Sequence, residues 1–237
     1  MPFWGWRGVV FVCVLPAHFT IWIRHHLEEP AIWKQSTAKA RGSLAQLFSP
    51  GVARVTVFIT FMNACCLFGW WGLNLWVPAY LNLPAAQGGV GLSSSTMSWF
   101  VIVMQVGMWF GYITFGYAAD RFGRKRAYIT FLLLASVLLP LYGVLRAPTL
   151  LLVLGPFVAF FGTGYYSGFG AVIAELYPTS IRATAAGFCY NLGRIASAVA
   201  PFVVGTMAAS SGFGVAFAIT GAAFLGAAMA WVGIPET

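Results

Sequence analysis

Arg194 makes the largest energetic demand of any residue in this chain. It stands about ten residues into an apolar run that begins near Thr184, so a helix there carries it about 15 Å from the start of the run. If the run crosses a bilayer, the guanidinium sits near the midplane, where Arg costs about 2.5–3.5 kcal/mol on insertion scales. Such a group faces a watery cavity, an acidic partner or an anionic ligand, and no Asp or Glu of this chain falls at that depth. Asn191 precedes it by three residues and Ser197 follows by three, so the side chains share one helical face. The chemistry of that strip is two-pronged binding of a carboxylate or another organic anion. The alternative is local, with Asn191 and Arg194 bonded to backbone carbonyls freed near Pro201.

A second set of charges suits the ends of helices. Gly116-Tyr-Ala-Ala-Asp120-Arg121-Phe-Gly123-Arg124-Lys125-Arg126 is a short mixed-charge turn closed by glycine. In it Asp120 can lie against neighbouring helix ends while the basic residues stay at an anionic membrane surface. Glu175-Leu-Tyr-Pro178-Thr-Ser-Ile-Arg182 stands where another apolar run ends. Helix lengths alone bring Asp120, Arg121, Glu175 and Arg182 to one membrane face, where pairs among them can latch one conformation. The bland reading is that they are solvated loop charges that fix topology, each exposed pair being worth about 0–1 kcal/mol.

Long apolar helices must position these residues, and the composition supplies them. The chain is 60% hydrophobic and 8% charged with a mean hydropathy of +0.83, against about 45–50% and about 25% in soluble domains. A water-facing surface cannot hide that many apolar side chains. About 20 apolar residues cross a hydrocarbon core of about 30 Å, and that template fits seven times, near 5–23, 54–81, 96–118, 127–145, 149–174, 185–208 and 214–233. The first run is too long and too aromatic for a signal peptide. One set of connections carries Arg24, Lys34, Lys39, Arg41, Arg54, Arg121, Arg124, Lys125, Arg126 and Arg182, whereas the opposite set carries only Arg7 and Arg146. The positive-inside rule makes the first set cytoplasmic, with the C-terminus inside. The net charge of +8 therefore lies between spans and forms no basic stripe, which argues against a nucleic-acid partner.

The loop around Asp120 and Arg121 resembles the signature of the major facilitator superfamily, G-x-x-x-D-R-x-G-R-[RK], between the second and third helices of each half. The Glu175 to Arg182 segment is similar to the E-x-x-P-x-x-x-R element after helix 10 of sugar porters and metabolite:proton symporters. Gly5-Trp6-Arg7, with Pro16, Arg24, Glu29 and Trp33, resembles helix 6 and its exit in the same group, although His25, His26 and the Glu28-Glu29 pair depart from that pattern. Pro235-Glu236-Thr237 resembles the short motif after helix 12.

The resemblance covers essentially the whole chain and implies an all-α integral membrane fold, the six-helix C-terminal half of a major facilitator preceded by one further transmembrane helix. Residues 1–23 would be the equivalent of helix 6, 24–52 a cytoplasmic linker between halves, and 53–237 the six-helix half, with helices 1 to 5 as its missing partner. It implies gating by Gly116, Asp120, Arg121, Gly123, Arg124, Glu175 and Arg182. Because helices 7, 10 and 11 line the cavity in that family, Asn63, Trp70, Trp71, Asn74, Tyr165 and Tyr166 join Arg194 and Asn191 as candidate solute contacts, with Gln105 open between cavity and packing. Only one of Trp70 and Trp71 can face inward, and Trp76 fits an interfacial aromatic belt.

Other chemistries lack their residues. Cys13, Cys65, Cys66 and Cys189 all fall in apolar runs without C-x-x-C spacing, and His25-His26 has no nearby thiol or carboxylate pair, so neither a metal nor a cofactor is expected. His18 reads as a packing histidine or a proton-path group. Gly107-x-x-x-Gly111 and Gly164-x-x-x-Gly168 read as close-packing pairs. No nucleophile, base and orienter converge as an enzyme requires. A seven-helix retinal protein needs an intramembrane lysine, and Lys34, Lys39 and Lys125 lie in loops. The expected function is secondary transport of a small organic anion by alternating access across the lipid bilayer, with proton symport implied by the family. A sugar or other neutral solute is the alternative.

Overall fold

The computed structural model describes residue 8, residues 11–27 and residues 43–236. Two compact units, residues 1–41 and 42–237, make up the chain. In the first, α1 (Leu15–His26) begins with a proline in its opening turn and ends at Leu27. It covers the end of the expected first span, and His18 Nδ1 lies 3.3 Å from the Val14 carbonyl in its own helix. Gly5, Trp6, Arg7, Glu28, Glu29 and Trp33, and with them most of the expected linker, fall outside the described residues.

Every regular element among the described residues of the second unit is a helix. Its elements are α2 (Ala53–Asn82), α3 (Ser94–Phe122), α4 (Arg124–Val144), α5 (Pro148–Thr163), α6 (Tyr166–Leu176) and α7 (Arg182–Ala230). Five stretches, Ala53–Asn82, Ser94–Phe122, Arg124–Val144, Pro148–Leu176 and Arg182–Ala230, are long and apolar enough to cross a membrane. The last, of 49 residues, changes direction at Gly212, whose φ of 84° and ψ of 165° are non-helical. Its arms, 182–211 and 213–230, correspond to the last two expected spans.

The expected span 149–174 is one helix in pattern but two in structure. Between α5 and α6 the Ser167 and Gly168 amides donate to the carbonyls of Gly164 and Tyr165, three residues back, at 3.2 and 3.1 Å. Three-residue bonds of this kind tighten a helix and often mark a hinge.

Lipid offers no hydrophobic force between helices, so close packing and buried hydrogen bonds hold the unit together. A Cβ on Gly107 would meet the Pro156 carbonyl oxygen at 2.3 Å, and one on Gly111 the Phe160 carbonyl oxygen at 2.5 Å, so α3 and α5 touch backbone to backbone. The Asn63 amide, 2% exposed, donates to the Cys189 carbonyl at 3.0 Å and ties α2 to α7. Trp76 Nε1 donates to the Pro201 carbonyl at 2.9 Å. These bonds make Asn63 and Trp76 joints between α2 and α7.

Candidate solute-binding face and charged helix ends

Leu67, Trp70, Trp71 and Asn74 recur at helical spacing and form one stripe of α2. The first three meet Tyr112 of α3, Tyr166 of α6 and Tyr190 of α7 around an open cavity of about 280 Å3. Its wall is aromatic on every helix that contributes to it, and the Tyr166 hydroxyl is buried without a hydrogen-bond partner among the described residues. Trp70 is 6% exposed, with its ring against Gly162, whereas Trp71 is 42% exposed. Trp71 is thus the one turned outward.

The Arg194 guanidinium lies 5.9 Å from the centroid of the Tyr190 ring, beside that cavity. It forms no ion pair and donates no side-chain hydrogen bond among the described residues, and the Pro201 carbonyl accepts from the Trp76 indole. Asn191 donates to the Gly187 carbonyl at 2.8 Å, and Ser197 to the Arg194 carbonyl at 2.7 Å. The local alternative therefore applies to Asn191, through a different carbonyl, and not to the Arg194 side chain.

Other expected contacts are more scattered. Asn74 is half-buried one turn along α2 from Trp70 and Trp71, and Gln105 is exposed two turns along α3 from Tyr112. Neither lines the cavity. Tyr165 points the other way: it is 2% exposed, packs 4.6 Å from the Tyr166 ring and 6.1 Å from Phe224, and its carbonyl accepts from the Tyr128 hydroxyl at 2.9 Å. Tyr165 belongs to the interior because adjacent residues at the start of α6 must face different sides. Tyr112 and Tyr190 were not anticipated. The spacing of Tyr190 from Arg194 (four residues) and of Tyr112 from Gln105 (seven) was the available signal.

At the end of the unit carrying the basic turn, Arg124 is the organising residue. Its Nη1 reaches Asp120 Oδ1 at 2.6 Å and its Nη2 reaches Glu175 Oε1 at 3.2 Å, so one guanidinium joins α3, α4 and α6. Two residues expected to pair do not do so among the described residues: Arg121 lies 5.7 Å from its neighbour Phe122, and Arg182 has a buried Nε without a partner. Arg124 takes their place because it opens α4 one turn from Asp120. Gly123 has φ 92° and ψ 150°, a region only glycine occupies readily, and a Cβ there would meet Glu236 Oε1 at 2.8 Å. Glu236 accepts from the Lys125 amide at 3.2 Å, and Lys125 Nζ donates to the Ile234 carbonyl at 3.0 Å. The cluster thus takes in the Pro235-Glu236 segment. A Cβ on Gly116 would meet nothing within 4 Å.

A family model described as the Major Facilitator Superfamily matches residues 80–237, two thirds of the chain, including the charged helix ends and the cavity tyrosines Tyr112, Tyr166 and Tyr190. The chain belongs to the Major Facilitator Superfamily. A putative metabolite transport protein of Haemophilus influenzae is 32% identical over 229 residues, 92% of this chain and 55% of its own length. The cis,cis-muconate transport protein of Acinetobacter baylyi is 30% identical over 94% of this chain and 55% of its length. This superfamily member spans about half the length of the curated relatives it matches. Its fold is similar to that of a POT family transporter crystallised with a thioalcohol-conjugated peptide, at a TM-score of 0.66, 16% identity and coverage of 82% of this chain and 40% of that one. It is a multi-pass, all-α membrane protein with a partial major facilitator fold.

Proposed function

We propose that this chain forms one wall of a secondary transporter for a small organic carboxylate, and that it works by alternating access against helices 1 to 5 of the same transporter. The observation that carries the reading is the Arg194 guanidinium, exposed and without an ion pair among the described residues, over the rim of an aromatic cavity. A charge at that depth is retained for a counter-charge, and this chain offers none there. Arg194 is the anchor and Asn191 its helical neighbour. Trp71 and Tyr166 are stacking walls, with Asn74 and Gln105 farther along the same path.

Similar proteins support the class of solute. Relatives in Acinetobacter baylyi and Escherichia coli carry the names of transporters for cis,cis-muconate, niacin and sialic acid. Each of those compounds bears a carboxylate. Gly116, Asp120, Arg121, Gly123, Arg124, Glu175 and Arg182 form the gate at the cytoplasmic end of a cell-membrane protein, with the C-terminus on that side. Protons drive the uptake.

Uptake of radiolabelled nicotinate and cis,cis-muconate by cells making the full-length transporter that contains this sequence tests the proposal. Arg194→Gln should abolish uptake of either acid while expression at the membrane persists. Undiminished uptake by that variant would remove Arg194 from the mechanism.

A further inference from the structure

We propose that the basic end of the unit holds a phosphate-bearing anion in a second cavity, between the start of α2, the start of α4 and the turn that follows α7. That cavity is about 430 Å3, and its lining includes Arg54 and Val55 of α2, Lys125 of α4, and Gly233 and Ile234. It shares no lining residue with the aromatic cavity. Arg54 and Lys125 come from helices far apart in sequence and face one void.

Neither cation is neutralised by an acidic side chain among the described residues. The chain has five acidic residues; of the three described ones, Asp120 and Glu175 are held by the Arg124 guanidinium, and Glu236 lies at the edge of this cavity but accepts from the Lys125 backbone amide and forms no ion pair with the Lys125 or Arg54 side chain among the described residues. Arg54 makes one contact among the described residues, its guanidinium 5.8 Å from the Phe58 ring centroid. Among the described residues no hydrogen bond engages its fork of five donors. Lys125 Nζ spends one of three donors on the Ile234 carbonyl. The first turn of α2, where Arg54 stands, has no side-chain cap, so helix amides add positive potential on the same side.

A void lined by a planar fork, an ammonium and an uncapped helix start suits an anion with several acceptor oxygens in a tetrahedral array. A carboxylate would use only part of that donor set. Phosphate fits it, whether as the headgroup of an anionic phospholipid beside the bundle or as a free phosphate in solution.

Native mass spectrometry of the purified chain, titrated separately with phosphatidylglycerol, phosphatidylcholine and inorganic phosphate, tests this. Retention of phosphatidylglycerol over phosphatidylcholine, reduced about fivefold in Arg54→Gln, is the expected result for a lipid source. Lys125→Gln should weaken retention similarly, and Lys125→Arg should restore it. Binding of inorganic phosphate that displaces the lipid and is lost in Arg54→Gln identifies a soluble source for the same site. Equal retention of the two lipids together with no phosphate binding, or retention unchanged in Arg54→Gln, overturns the proposal. Arg54 is exposed and its variant leaves the packed interior intact.

Discussion

The guanidinium of Arg124 joins Glu175 across 51 positions of sequence and fastens the first residue of α4 to the last turn of α6. Both side chains keep contact with solvent, 19% and 35% exposed. A double-mutant cycle with Arg124→Ala and Glu175→Ala, read by thermal unfolding in detergent, should give a coupling of about 0.2–1 kcal/mol, falling as salt is added. A much larger coupling at high salt would mean the pair is sealed from water.

Two glycines offer a contrast. Gly107→Ala places a methyl against the Pro156 backbone and should destabilise the unit by about 1–3 kcal/mol. Gly116→Ala meets open space and should change stability by less than about 0.5 kcal/mol. Thermal melting of the two variants side by side checks both. If Gly116→Ala nonetheless blocks uptake, the space at Gly116 serves a surface that approaches it from outside this unit.

The adjacent tryptophans should separate stability from solute binding. Trp70→Ala empties a buried position and is expected to cost about 3–5 kcal/mol. Trp71→Ala removes an outward ring and should leave melting nearly unchanged while raising the KM for the proposed carboxylate solute. Equal effects of both on melting would place Trp71 in the packing.

Asn63→Leu keeps the branched shape of the side chain, with somewhat more bulk, but forfeits the bond to the Cys189 carbonyl. Interhelical hydrogen bonds in membrane proteins are worth about 0.6 kcal/mol on average and about 1.7 at most. Reversible unfolding in mixed micelles should show a loss in that range. A loss of several kcal/mol would indicate that the leucine also collides with α7 at Gly193, where the Asn63 amide nitrogen already lies 2.4 Å from where a Cβ would stand.

The helices of the second unit were legible because lipid demands long apolar runs, and their ends were marked by Arg124, Pro148 and Gly212. The break between α5 and α6 was not, since Tyr165 and Tyr166 continue the apolar pattern without interruption. Arg194 was legible from its cost alone. Tyr112 and Tyr190 escaped notice because a tyrosine in an apolar run reads equally as lipid-facing, and only the convergence of four helices distinguishes a cavity wall. The placement of Arg124, ahead of Arg121 and Arg182, depended on side-chain reach, which spacing does not record.

Tyr166 opens α6 and Glu175 lies near its far end, nine positions or about 14 Å along the axis. Below Tyr166 the helical ladder is interrupted, and the Tyr128 hydroxyl already occupies the Tyr165 carbonyl. Segment α6 is therefore a short lever with its fulcrum at the aromatic cavity and its free arm in the grip of Arg124. A rigid tilt of α6 about that break would carry Glu175 and the Tyr166 ring together, so one short helix joins the charged end to the cavity wall.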